Sequence, residues 1–443
     1  MKRIFAFLAF IQFCIAISAQ VAIGKNEAPV KSAVLELVAS DKGLLLPRLT
    51  TVQREAIANP ADGLCVYDTD ENRIYHYNTT TTKWEKVGTE TDINNGSGTN
   101  PNPGKTETVK NVIFMIGDGM SFAQVQAGFT TSNNYLHMTS FPYTGMAQTY
   151  CANSKTTDSA AAATAMSTGV KTNKYYVGKN PAGNDVENIM EIAKKNGLST
   201  GLVVTNSVTN ATPACYYAHN INRNNETQIA ADFLKSDMDV CIGGGLGQFD
   251  SSLRSQIAAK GYHVITSTDY RDVLNSPSSK ILALLASANM PKMSASRGNM
   301  LAECTTKALE ILSKNDKGFF LMVEGSQIDL GGHDKDYSYM LAELKDFDAA
   351  VARAKEFAEK DGNTLVIVTG DHETGGLIIY GGEDDSSGKA TSMSTYYSRT
   401  IVNGAHTRTL VPIFAYGPGG DNFVGFLNNT DYKAKLEKLL ELK

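Results

Sequence analysis

From Val109 to the C-terminus, short apolar runs recur: Asn111–Ile116, Thr200–Val204, Asp239–Ile242, Phe319–Val323, Thr364–Thr369 and Val411–Tyr416. Each has strand length and is apolar without alternation, the pattern of a strand covered on both faces. Helix-length stretches separate them, among them Val186–Asn196, Glu226–Lys235, Leu301–Ser313 and Tyr339–Asp361. Few architectures accept that alternation. It predicts an α/β fold with a largely parallel central sheet and helices on both faces. In such sheets functional groups gather just beyond the carboxyl ends of strands.

Those ends are rich in chemistry. Asp118 follows the first run between Gly117 and Gly119, which let the backbone turn sharply and bring a carboxylate close to a ligand. Phe319–Val323 runs into Glu324, Asp329 and His333, two carboxylates and an imidazole within ten residues. Asp and His supply the oxygen and nitrogen ligands that zinc accepts. Thr364–Thr369 ends in Gly370-Asp371-His372, a charged pair that needs a partner after a buried strand. His406 precedes the last run. Of seven histidines, three have such settings; His76, His137, His219 and His263 read as ordinary strand or surface residues.

Thr157-Asp158-Ser159 stands immediately before an alanine-rich run, within Lys155–Gly169. Asp and Ser favour helix caps, so Ser159 is expected in a first turn, where free N–H groups and the helix dipole favour an anion. Taken alone, the segment reads as an ordinary capped helix packing its alanines into a core. Asn210 and Thr212 follow the second run, and Thr212 offers a hydroxyl oxygen to a hard ion such as Mg²⁺. Arg223 has the fork that matches two phosphate oxygens at once, and a surface ion pair is its other reading. Together these groups point to a multinuclear metal centre around a serine.

The N-terminal quarter differs. Residues 1–20 have Lys2 and Arg3, an apolar stretch and Ser18-Ala19-Gln20, the layout of a secretory signal peptide. Residues 21–88 read as a small β-rich module, with a hairpin from Gly63–Asp68 and Arg73–Asn78. Residues 89–108, low in apolar side chains and rich in Asn, Gly, Pro and Thr, read as a flexible linker. Residues 109–443, which carry the candidate site, are expected to form a separate catalytic domain. No later stretch has the length and apolarity of a membrane span, and an exported, soluble chain is expected, periplasmic or at the cell surface. The formal charge of −5 and the lack of a basic cluster give no sign of nucleic-acid binding. The pairing of Cys65, Cys151, Cys215, Cys241 and Cys304 cannot be read from their spacing.

In order along the chain, "FMIGDGM", "TTDSAAAATA", "NATPACYYAHNINR", "VEGSQID…H", "VTGDHETGG" and "AHT" closely resemble the alkaline phosphatase family. The resemblance runs from about Val109 to the C-terminus. It implies hydrolysis of small phosphate monoesters, releasing inorganic phosphate, through a phosphoserine on Ser159 with two Zn²⁺ and one Mg²⁺. By that resemblance Asp329, His333 and His406 hold one zinc; Asp118, Asp371 and His372, with Ser159 facing, hold the other. Asp118, Thr212 and Glu324 match the Mg²⁺ ligands, Arg223 the phosphate-gripping arginine, and Asp158 orients Arg223 or caps the helix. Asn210 stands where family members carry Asp or His near the Mg²⁺, and Leu330 where they place Lys, His or Trp. The 33 residues between His372 and His406 leave no room for the large insertion of the animal enzymes. A homodimer is a further expectation. Residues 21–88, with "GLLLPRLT", resemble modules of bacterial surface and secreted proteins, which implies attachment or oligomerisation. Rival readings are a phosphodiesterase or sulfatase of the same superfamily, and a surface scaffold with an inactive catalytic domain.

Overall fold

The computed structural model describes residues 21–23, 35–37, 44–71, 73–87, 109–379, 395–397 and 405–443. The expected signal peptide and linker lie outside the described residues. The chain divides into two compact units, Met1–Thr89 and Glu90–Lys443.

In the first unit β1 (Val21–Ile23) pairs in parallel with β2 (Leu35–Leu37). A second sheet runs in the order β3 (Arg48–Leu49), β4 (Cys65–Asp68), β5 (Arg73–Asn78) and β6 (Lys83–Lys86). β4 and β5 form the antiparallel hairpin. The apolar run at Gly43–Thr50 yields only two strand residues, because Thr50 caps the helix Thr51–Glu55 in a reciprocal capping box with Gln53. A buried cation takes the place of a large apolar core here. Arg54 donates to Asp68 at 2.9 Å and lies over the Tyr75 ring, 3.8 Å from its centroid.

The second unit is built on one sheet of ten strands. They are β7 (Asn111–Gly117), β8 (Tyr143–Gln148), β9 (Ser199–Ser207), β10 (Val240–Gly244), β11 (His263–Ile265), β12 (Ile281–Leu284), β13 (Phe319–Gly325), β14 (Thr364–Gly370), β17 (Val411–Tyr416) and β18 (Gly425–Asn428). The short β15 (Leu377–Ile379) and β16 (Thr395–Tyr397) pair separately. The order across the large sheet is β11-β12-β10-β9-β13-β7-β14-β17-β8-β18. Only β17 runs against its neighbours, antiparallel to both β14 and β8, so the sheet is mixed but mostly parallel.

The pleat sorts the core. Val112, Phe114 and Ile116 of β7 join a cluster with Ala160, Ala163, Phe233 and Tyr432 on one face. Ile113 and Met115 join Leu309, Leu344, Phe347 and Val351 on the other, contributed by the helices Met300–Leu312 and Tyr337–Asp361. Alternate side chains thus feed opposite layers, and every residue of β7 is buried. The helix Ser159–Thr168 is buried along its whole length and ends at Gly169, whose φ of 72° is the usual left-handed stop. Among the described residues all five cysteines are unpaired, and no helix is long and apolar enough to cross a membrane.

Candidate active site

Four neighbouring parallel strands, β9-β13-β7-β14, end on one edge and carry most of the acidic groups. Past β7, Asp118 begins a turn completed by Gly119 at φ 72°. A side chain there would place Cβ 2.8 Å from Asp329 Cα, so only glycine fits. Gly119 N–H donates to Asp371 Oδ1 at 3.0 Å, fixing the turn after β7 to the residue after β14. β13 contributes Glu324 and leads into the helix Gln327–Asp334, which carries Asp329 and His333 on successive turns. Past β9, Asn210 caps the short helix Ala211–Ala214 that holds Thr212.

These groups converge. Ser159 Oγ lies 3.1 Å from His372 Nε2. The same nitrogen is 3.1 Å from Asp371 Oδ2 and 3.5 Å from Asp118 Oδ1. His333 Nε2 is 3.2 Å from Asp329 Oδ2 and 3.2 Å from His406 Nε2. The His372 and His406 rings stack with centroids 3.6 Å apart. Asp118, Asp371 and His372 bring ligand atoms together within reach of one ion, as do Asp329, His372 and His406. Ser159, Asp118, Thr212, Glu324, Asp329, Asp371 and His372 are all buried.

Electrostatics mark the place as incomplete without positive charge. Burial, reinforced by Asp371, Asp329 and Glu324, holds the Asp118 carboxyl well above its ordinary range. Burial, with the Asp371 charge, pushes Glu324 up to about 8. Burial acts upward on Asp329 too, yet the His333 hydrogen bond and the charges of His406 and His372 hold it low. Burial, helped by His372, pushes His406 down to about 4. Four buried oxygens, Asp118 Oδ1, Asp371 Oδ2, Thr212 Oγ1 and Glu324 Oε2, make no well-aligned hydrogen bond, although His372 Nε2 lies near the first two. Leaving such atoms unpaired costs about 1–3 kcal/mol each, and more for a charged group.

Asp158 is the N-cap of the serine helix, and its Oδ1 accepts from Ala161 N–H at 3.1 Å. Its Oδ2 accepts from Arg223 Nη1 at 3.4 Å and from Tyr175 N–H at 3.1 Å. Arg223 Nη2 donates to Asn210 Oδ1 at 3.2 Å. Asn210 therefore meets the arginine directly.

Three contributors have no signal in residue type or spacing. Thr374 Oγ1 donates to Asp329 Oδ1 and lies 3.2 Å from His372 Nδ1. The Thr157 carbonyl is 3.0 Å from His406 Nδ1. Tyr175, at φ 72°, is a non-glycine residue in the left-handed region beside Arg223.

A family model described as alkaline phosphatase matches residues 109–387, more than half of the chain. The chain belongs to the alkaline phosphatase family. Alkaline phosphatase 4 of Bacillus subtilis is 34% identical, the match covering 75% of this chain and 89% of that one. The Escherichia coli alkaline phosphatase is 33% identical over 75% of this chain and 86% of its own. Among solved structures, the alkaline phosphatase of the Antarctic bacterium TAB5 superposes with a TM-score of 0.70 at 39% identity, covering 76% of this chain and 100% of that one. A variant of that enzyme was solved with Mg bound in its M3 site. This alkaline phosphatase chain is therefore a phosphatase with the family's α/β fold. Residues 22–101 match a second model, described as a phage tail like trimerisation region.

Proposed function

We propose that the chain hydrolyses phosphate monoesters to inorganic phosphate through a phosphoserine formed on Ser159, at a centre of two Zn²⁺ and one Mg²⁺. The four buried oxygens without a well-aligned hydrogen bond, around a buried serine, carry this reading, because cations are what such oxygens lack. The donor set fits. Asp329, His333 and His406 would hold one zinc, and Asp118, Asp371 and His372 the second, facing Ser159. Asp118, Thr212 and Glu324 offer the all-oxygen set that Mg²⁺ takes. When bound, these cations lower the serine hydroxyl pKa and neutralise charge on the transferring phosphoryl group.

The chain's own groups do the positioning. Ser159 is the first residue of its helix, so first-turn N–H groups and the dipole favour negative charge at Oγ and at an attached phosphate. Arg223 is steadied by Asp158 and Asn210, which leaves further N–H donors to clasp two phosphate oxygens. Thr374 and the Thr157 carbonyl fix the rings of His372 and His406 through their Nδ1 atoms. Leu330 supplies no polar contact to phosphate.

Zinc and magnesium content of the purified protein, with hydrolysis of a monoester and a diester of one leaving group across pH, tests the reading. We expect monoester preference, inactivation by a chelator and recovery with zinc. A diester preference overturns it in favour of the phosphodiesterase alternative.

We further propose that residues 1–20 direct export to the periplasm or cell surface, and that residues 21–88 assemble copies of the chain beyond any homodimer. The similarity to a trimerisation region supports assembly, as does apolar surface on the module, where Leu44, Leu45 and Val52 are exposed. Light scattering on the full chain and on one starting near Val109 decides. An equal number of chains per particle in both overturns the assembly role.

A further inference from the structure

Glu373 directly follows Asp371 and His372, which would ligate metal in the proposed centre, yet its side chain points into protein. It is 2% exposed and accepts a dense set of hydrogen bonds. Thr407 Oγ1 donates to its Oε2 at 2.6 Å, and Gln124 Nε2 to its Oε1 at 3.0 Å. The main-chain N–H groups of Gly376 and Leu377 donate to Oε1 at 2.9 and 3.1 Å. A carboxylate has acceptor sites for all four and no proton that must be placed.

The donors matter because of what they adjoin. Thr407 follows His406, and its own N–H donates to the Glu373 carbonyl at 2.9 Å. Gly375 N–H donates to Ala405 O at 3.2 Å, and Thr374 and His406 face each other in an antiparallel bridge. Gln124 Oε1 accepts from Ser121 N–H at 3.0 Å, which ties Glu373 to the turn that carries Asp118. Thus one buried carboxylate joins the segments that present Asp118, Asp371 with His372, and His406. Those segments are far apart in the chain, and imidazole ligands depend on such support for their orientation.

We infer that Glu373 is a positioning residue that holds His406 in register with the Asp371–His372 pair, and so sets how firmly the chain retains zinc. This inference rests on the metal-centre reading above. A purely architectural carboxylate would change stability alike with and without metal. A positioning carboxylate acts chiefly on the metal-loaded protein.

The test uses the full chain loaded with zinc and titrated with a competing chelator, for Glu373→Ala, Glu373→Gln and Thr407→Val. We expect Glu373→Ala to release zinc about 10- to 100-fold more readily, the range for loss of an outer-shell support. Thr407→Val should show a smaller loss, and Glu373→Gln should restore part of the retention. Thermal unfolding of the metal-free proteins should differ far less than that of the loaded ones. Wild-type zinc retention in folded Glu373→Ala overturns the inference; if that variant does not fold, wild-type retention in Thr407→Val overturns it. A wild-type protein that binds no zinc overturns the metal-centre reading itself, because no variant then has zinc to lose.

Discussion

Ser159 Oγ and His372 Nε2 lie 3.1 Å apart although 213 positions separate the two residues. The contact joins the first turn of a buried helix to the end of β14. Replacing Ser159 by Ala removes the oxygen and leaves every carboxylate and imidazole in place. Steady monoester turnover should fall by about three orders of magnitude or more. Zinc content should stay within error of wild type. Full activity in that variant removes Ser159 from the nucleophile's role.

Tyr175 offers a sharper test of phosphate binding. Its N–H shares Asp158 Oδ2 with Arg223, while its carbonyl accepts from Arg223 N–H at 2.8 Å. Only a left-handed backbone aims both groups this way, at a cost of about 1–2 kcal/mol for an L side chain. Tyr175→Gly keeps the geometry and should hold kcat/KM within about threefold. Tyr175→Val, β-branched and poorly tolerated there, should raise KM and the inhibition constant of inorganic phosphate about tenfold with little change in kcat. Unchanged phosphate inhibition in Tyr175→Val rejects this role.

His219 gives a pH dependence. Its Nδ1 lies 2.7 Å from the Gly178 carbonyl and its Nε2 3.0 Å from Glu191 Oε1. Both neighbours are acceptors, so the ring is best satisfied as an imidazolium. Burial acts downward on His219, but Glu191 and the carbonyl outweigh it and raise the pKa above 6.5. Its contribution is full below 6.5 and is lost as pH rises through the raised value. Burial acts upward on Glu191, but His219 and the Asn188 N–H hold it below 4.5. That contribution is present above 4.5 and is lost as pH falls through the lowered value. A double-mutant cycle of His219→Gln and Glu191→Gln should show a coupling of about 0.5–1 kcal/mol near pH 6 that shrinks near pH 9. A coupling that grows with pH contradicts the assignment.

Arg297 has no exposed side-chain surface and pairs with two buried carboxylates, Glu343 and, at 2.7 Å, Asp346. Arg297→Met leaves both without their cation. Denaturant unfolding should show a loss of about 3–5 kcal/mol, while activity per folded molecule stays near wild type. A loss under about 1 kcal/mol means the site rearranges to admit water.

How much of this was legible beforehand follows from residue type. The central strands were plain because residues such as Val112 to Ile116 are apolar on both faces. β8 was not, since Tyr143–Gln148 is half exposed and reads as loop. Neither was β18, four residues long and opening with a glycine. Nothing in Val411–Tyr416 encodes that it runs against its neighbours; strand direction comes from how the chain returns. In the site, Asp118, Asp371 and His372 stood out because charged groups at the ends of buried strands need a reason. Glu373 and Tyr175 did not, because their part depends on contacts with Thr407 and Arg223, which only the fold supplies.

The order of the central strands has a consequence for when the centre can exist. β7 and β9 precede β13 in the chain, but β13 lies between them in the sheet and must insert there. Until it does, Asp118 and Thr212 have no Glu324 beside them, and Asp329 and His333 are not yet at the edge. His406 arrives later still. In the proposed centre the full ligand set comes together only when β13 is in place and His406 has joined it, so metal capture would follow the closing of the sheet. On that reading, metal occupancy would act as a seal on a correctly threaded sheet, and a chain with β13 misplaced would stay unsealed.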